Sequence, residues 1–241
     1  MGVKHTYKDG VFRRLFNDKE KILELYDTDV KIVTLDNAVF GDMKDDQSFM
    51  IEDRFIILTE HQSTINPNMP VRELCYIAKQ LEKLVFSKAI YSKRLIKLPT
   101  PEFYVFYNGA EDFPVCREQK LSDAFAVKCD KISLELKVKV INVNYDKGAE
   151  ILSRCRSLNE YSKFMYMIRE RLSEGIEVKS AIEESIRICM KEGILDEFLK
   201  KNGGDIVSFL FEELTREECE QIREEDGYYR GEADTQRAIA R

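Results

Sequence analysis

"DDQSFMIEDRFIILTEHQS" (residues 45–63) sets two apolar runs around a polar turn at Glu52–Arg54, the pattern of a β-hairpin. Polar groups stand at its open end: Asp46 at the mouth of the first strand, Glu60 and Gln62 at the end of the second. Side chains alternate along a strand, so Glu60 and Gln62 share one face while Thr59 and His61 take the other. Folding the hairpin at 52–54 carries Asp46 across toward that pair. Carboxylates brought so close repel one another unless a cation sits between them. An all-oxygen set suits a hard ion such as Mg²⁺, which takes one or two carboxylates and keeps several waters. Solvated acids at hairpin ends are also frequent and inert, so the pattern by itself leaves both readings open. His61, turned away from the pair, reads as a packed or capping histidine rather than a general base.

Upstream, "KDGVFRRLFNDKEKILELY" (8–26) spaces Val11, Phe12, Leu15, Phe16, Ile22, Leu23 and Tyr26 at helical intervals, with Asp18 placed to divide the run into two short helices. "VKIVTLDNAVF" (30–40) reads as a β-branched strand. Downstream, Pro70 suits the first turn of a helix. In that helix Leu74, Ile77, Ala78, Leu81, Leu84 and Val85 form the apolar face, with Cys75 packed as a small hydrophobe. Arg72 and Tyr76, four apart, share a face. A strand at Phe103–Tyr107 ends in Asn108-Gly109, a turn signal. "SLELKVKVINVN" (133–144) alternates with Leu134, Leu136, Val138 and Val140 on one side. After Lys147 only helical periodicity remains: Val178, Ala181, Ile182, Ile186 and Cys189 make one stripe, and Ile206, Phe209, Leu210 and Leu214 another. Gly193 and Gly203-Gly204 punctuate them. The expected organisation is an α/β domain over 1–146 with a mixed central sheet of four or five strands flanked by helices, a C-terminal helical extension over 147–226, and a flexible tail over 227–241.

The 241 residues are 44% hydrophobic and 34% charged, which excludes a disordered chain. No apolar run approaches the roughly 20 residues of a membrane helix, and the first ten residues lack the apolar core of a secretion signal. The six cysteines contain no Cys-x-x-Cys pair, so they read as reduced thiols in a cytoplasmic protein rather than as zinc ligands or disulfides. The net charge of −6 is carried by 211–226, where eight acids face two basic residues; Arg72–Lys97 instead carries seven Lys and Arg against two Glu. Such a basic region attracts polyanions, although a solvated helix face reads the same way.

Five pieces in order, "YKDGVFRRLF" (7–16), "KDDQSF" (44–49), "EHQSTINPNMPVRELCY" (60–76), "KLPTPEFYVFYNG" (97–109) and "LSDAF" (121–125), resemble the Rpn group of recombination-promoting nucleases and putative transposases. That group lies within the PD-(D/E)XK (restriction-endonuclease-like) nuclease superfamily. "LNEYSKFMYMIRERL" (158–172) is similar to helices in the same group. The resemblance implies a PD-(D/E)XK core in which Asp46 and Glu60 hold Mg²⁺, with Mn²⁺ as a substitute. Gln62 stands where the superfamily carries a lysine. A neutral carboxamide orients water but supplies no positive charge, which leaves the Lewis acidity to the metal. Asp9 is either a further acid or the N-cap of the first helix. Arg72 and Tyr76 are candidates to hold a phosphate and a nucleotide, and Lys79 and Lys83 to follow a DNA backbone. The implied activity is metal-dependent DNA endonuclease, with roles in recombination, mobile elements or phage defence in a bacterium. The alternative is a nuclease-fold protein of little or no activity that binds DNA or regulates. The C-terminal helical stripes also suit a homo-oligomer.

Overall fold

The computed structural model describes residues 10–26, 39–40, 47–51, 55–85, 89–208, 210–212 and 214–215. Asp9, Asp46, the hairpin turn at 52–54 and most of the acidic segment lie outside them. The chain parts into two compact units, Phe12–Tyr166 and the residues from Met167 onward together with the beginning of the chain.

The first unit opens on α1 (Gly10–Leu15) and α2 (Lys19–Tyr26). The break between them falls at Asp18, whose Oδ1 accepts from the backbone N–H of Glu20 at 2.9 Å and of Lys21 at 3.4 Å. A carboxylate that satisfies first-turn donors starts a new helix rather than continuing the old one. Six strands follow among the described residues: β1 (Val39–Phe40), β2 (Gln47–Ile51), β3 (Phe55–Gln62), β4 (Thr100–Tyr107), β5 (Cys116–Lys120) and β6 (Lys137–Asn142). They form one mixed sheet in the order β1-β2-β3-β4-β6-β5. The expected hairpin is present, with β2 antiparallel to β3 and Gln47 opposite Thr59. β3, β4 and β6 run parallel, and β5 returns antiparallel along the outer edge. Because parallel strands need a crossover, the chain between β3 and β4 forms α3 (Met69–Leu84).

β4 is buried on both faces, as a central parallel strand must be. Phe103, Val105 and Tyr107 join Met69, Ile77, Val138 and Val140 in one core cluster. Phe106 faces the other way, its ring 5.7 Å from that of Phe12.

Several expectations are corrected. Among the described residues the sheet has six strands rather than four or five, because "CREQK" (116–120) is an exposed edge strand whose polar side chains carry no alternation. The alternating run near 140 is strand only from Lys137. Leu134 is 51% exposed, since the β5 ladder stops at Lys120–Lys137 and Glu135 turns instead to cap Ser122. On α3 the buried positions are Met69, Pro70, Glu73 and Ile77; Ala78, Leu84 and Cys75 are exposed.

The sheet-bearing unit continues through α4 (Glu150–Arg154) into α5 (Arg156–Ser173). Glu24 of α2 caps α5: its carboxylate accepts from the backbone N–H of Arg156 at 2.5 Å and of Ser157 at 3.2 Å, and from the Ser157 hydroxyl at 2.6 Å. These are otherwise orphaned helix-start donors, so Glu24→Ala should lower unfolding free energy by about 1–2 kcal/mol. Chemical denaturation checks this, and an unchanged midpoint would rule the cap out as a stabilising contact.

In the second unit, α6 (Val178–Glu192) buries Ala181, Ile182, Ser185 and Cys189, with Ser185 replacing the expected Ile186. Glu177 caps it by accepting from the backbone N–H of Ser180 at 3.1 Å. Gly193, at φ 71°, ends it. Gly203-Gly204 does not punctuate: residues 196–208 (α7) are helical throughout, and the burial of Leu199 and Ile206 offsets the weak helix propensity of two glycines.

Cysteine chemistry follows from burial. Cys155 and Cys189 are buried, and desolvation pushes the Cys155 thiol up to about 12. Cys75, Cys116 and Cys129 are exposed. Brief alkylation of the native protein at neutral pH should therefore modify 75, 116 and 129 and spare 155 and 189. Peptide mass mapping reads the outcome, and rapid labelling of Cys155 would contradict the buried placement.

Candidate active site

β3 ends where the parallel strands present their carboxyl ends, the usual place for ligands in an open α/β sheet. Glu60 and Gln62 lie there on one face, as strand alternation requires. Glu60 is 7% exposed. Its Oε1 accepts from Gln62 Nε2 at 2.8 Å and pairs with Arg72 Nη1 at 2.8 Å. Arg72 reaches back because α3 starts only seven residues after Gln62, and its first turn is anchored by Met69, which touches the Gln62 amide through its sulfur. The guanidinium also donates from Nη2 to the Tyr76 hydroxyl at 3.3 Å, with its carbon 5.9 Å from the ring centre. Glu60, Gln62, Arg72 and Tyr76 thus form one connected group. Gln62 and Arg72 both hold the buried carboxylate, and Arg72 is cationic.

The opposite face of β3 carries a different network. His61 Nε2 lies 3.0 Å from the Tyr161 hydroxyl, and the ring stacks on Phe12 at 4.7 Å. Asn108 Nδ2 donates to the same hydroxyl at 3.4 Å. His61 is therefore a packed residue facing away from Glu60. Asn108 is buried in this network, and its backbone N–H donates to the Gln62 carbonyl at 2.9 Å. Gly109 follows because nothing larger fits: a Cβ there would collide with the Ser63 carbonyl oxygen and the Tyr107 ring.

Of the other candidates, Lys79 and Lys83 are exposed on α3. They stand about 10 and 17 Å along the helix axis from Arg72, at 1.5 Å per residue, so they lie away from the carboxylate. Asp9 and Asp46 are outside the described residues; β2 begins one position after Asp46, with Gln47 paired to Thr59. Among the described residues no three His, Cys, Asp or Glu side chains gather as a metal cage. The donors present are the Glu60 carboxylate and the Gln62 carboxamide. Both are oxygen-bearing groups fit for a hard divalent ion, but too few to hold one without a further acid. Glu73, fully buried one turn beyond Met69, escapes a reading by composition. Its only signal is position, since 69, 73 and 77 share the buried stripe of α3. Asn108 and Tyr161 could not be linked from sequence, being 53 residues apart.

An open groove of about 640 Å³ lies between α3 and β4–β6, lined by Leu74, Leu81, Phe103, Leu136 and others, and it includes none of Glu60, Gln62 or Arg72. No helix among the described residues is long and apolar enough to cross a membrane. No protein-family model, no curated protein and no solved structure matches the chain.

Proposed function

We propose that the chain is a metal-dependent DNA endonuclease of the Rpn type, built on a PD-(D/E)XK core. The observation that carries this reading is the buried Glu60 carboxylate, gripped by Gln62 and Arg72 at the carboxyl end of the central strands. The five sequence segments named above supply the resemblance. Glu60 and Asp46 would hold Mg²⁺, and the ion would supply Lewis acidity toward the scissile phosphate and its attacking water. This chain's own residues do the rest. Gln62 fixes the Glu60 rotamer and offers its carboxamide oxygen to a water. Arg72 supplies, from a helix, the cation that the superfamily places on the strand as lysine. Its planar fork suits a phosphate oxygen, and Tyr76 holds that fork in one orientation. Charge developing on the phosphorane oxygens would then meet a guanidinium already ordered before reaction.

The Glu60–Arg72 pair also favours the second reading, a nuclease-fold module that binds DNA or regulates without cutting. An ion pair that already satisfies the carboxylate competes with a metal for it. Nicking of supercoiled plasmid separates the two. The endonuclease reading expects nicking with Mg²⁺ or Mn²⁺, none with EDTA, and none from Asp46→Ala. Equal activity in wild type and Asp46→Ala would expose a contaminant, and inertness under every metal would leave the binding module.

A further inference from the structure

A run of cations free of acids leads into β4, whose start lies at the end of the sheet opposite Glu60. Residues 83–101 contain Lys83, Lys88, Lys93, Arg94 and Lys97 and no acid. The segment leads into β4, whose register fixes where it ends: Thr100 pairs with Phe55, whereas Val105 pairs with Glu60. Five residues at about 3.3 Å each put the two levels about 17 Å apart. α3 gives the same span independently, since Arg72 to Lys83 is also about 17 Å at 1.5 Å per residue.

This segment is more than a charge run. After a single 3₁₀ turn (Ala89–Tyr91), Ser92 braces the chain: its hydroxyl donates to the Arg94 carbonyl at 3.1 Å and accepts from the Arg94 N–H at 3.2 Å. On this braced turn Tyr91 is 90% exposed and Leu95 85% exposed. None of Lys93, Arg94 and Lys97 is ion-paired to a described residue. Large exposed apolar and aromatic side chains beside cations that no described residue neutralises mark a surface that takes a partner.

From this we infer that 90–97 is a second nucleic-acid contact, in which Tyr91 stacks on an unpaired base while Lys93 and Arg94 hold the flanking phosphates. Cations without acids select a polyanion. A free phenol ring selects a base whose face is open, hence a single-stranded rather than a paired segment. An anionic membrane is disfavoured, because 90–97 carries three cations, fewer than the roughly four to eight of a polybasic lipid-binding cluster, and has no amphipathic helix. The inference rests on the reading of the chain as a DNA-acting protein, not on cleavage. It assigns that protein a substrate with single-stranded character away from the site of Glu60, on the chain that leads into β4.

The test is fluorescence anisotropy of the full chain with labelled dT20 and with a duplex of equal length, in EDTA and at low salt. Tyr91→Ala should weaken dT20 binding about tenfold, the loss of one stacked base, and leave the duplex within twofold. Lys93→Ala/Arg94→Ala should weaken both and reduce the dT20 salt slope by about 1.4. Wild-type affinity in Tyr91→Ala, or an equal loss on the duplex, overturns the inference. So does binding to phosphatidylserine vesicles with none to dT20. Plasmid nicking is measured on the same samples. A Tyr91 effect without nicking would sink the nuclease reading and keep this contact; nicking without a Tyr91 effect would do the reverse.

Discussion

If the chain is the endonuclease proposed above, Glu60→Gln is expected to abolish its Mg²⁺-dependent nicking while the protein stays folded. The substitution keeps the shape of the side chain and removes only the charge. Arg72, its partner at 2.8 Å, is 34% exposed and reaches water, so the cost to the fold is about 1 kcal/mol or less. The cost to catalysis is far larger. Changing a residue that merely orients a metal ligand typically costs 10- to 100-fold, so loss of a carboxylate ligand itself should exceed about a hundredfold. Arg72→Met reverses the balance. It withdraws the guanidinium from a carboxylate that is 7% exposed, and should lower stability by about 2–3 kcal/mol, somewhat less than for a fully buried pair. Melting curves and nicking rates on both variants test the pair together. Full nicking by a folded Glu60→Gln would remove Glu60 from the metal site and leave the pair as a structural clamp.

The second large effect lies at Gly109. A methyl group there meets the Ser63 carbonyl oxygen and the Tyr107 ring. Neither neighbour is at liberty to give way. The Asn108 N–H is tied to the Gln62 carbonyl at 2.9 Å, the Gly109 carbonyl accepts from Asn144 Nδ2 at 2.9 Å, and the Tyr107 hydroxyl is bonded to the Glu111 carbonyl at 3.1 Å. Gly109→Ala should therefore cost about 3 kcal/mol, the upper end for overpacking, and lower Tm by roughly 6–12 °C. Because Ser63 adjoins Gln62, the displacement would also disturb the site. Gly203→Ala is the contrasting control. That glycine is helical with nothing within 4 Å of an added Cβ, so alanine should stabilise by about 0.5–1 kcal/mol. Equal melting of Gly109→Ala and wild type would contradict the close approach.

The hairpin, the break at Asp18, the α3 crossover and the outward turn of His61 were legible in sequence because each follows from a local rule: period, cap or alternation. β5 was not legible. An edge strand exposed to water keeps polar side chains and so carries no hydrophobic signal. The helix through Gly203-Gly204 was misread for a related reason: a turn propensity worth about 1 kcal/mol per glycine yields to burial of the side chains around it. The candidate site was legible at Glu60, Gln62, Arg72 and Tyr76. Glu73 and the Asn108–Tyr161–His61 network were not.

By itself, the sequence of this protein determined which residues share a face of a strand or helix, and hence that Glu60 stands with Gln62 and Arg72 with Tyr76. Only the tertiary structure decided that these two pairs meet, because the path of α3 back along the sheet is set by the packing of Met69 and Ile77 on the core. The same path separates the cations from the carboxylate. Lys83 to Lys97 follow Arg72 closely along the chain, yet the register of β4 against β3 places the start of β4 five residues from the level of Glu60. Charge is a property of composition; its distance from the chemistry is a property of the crossover.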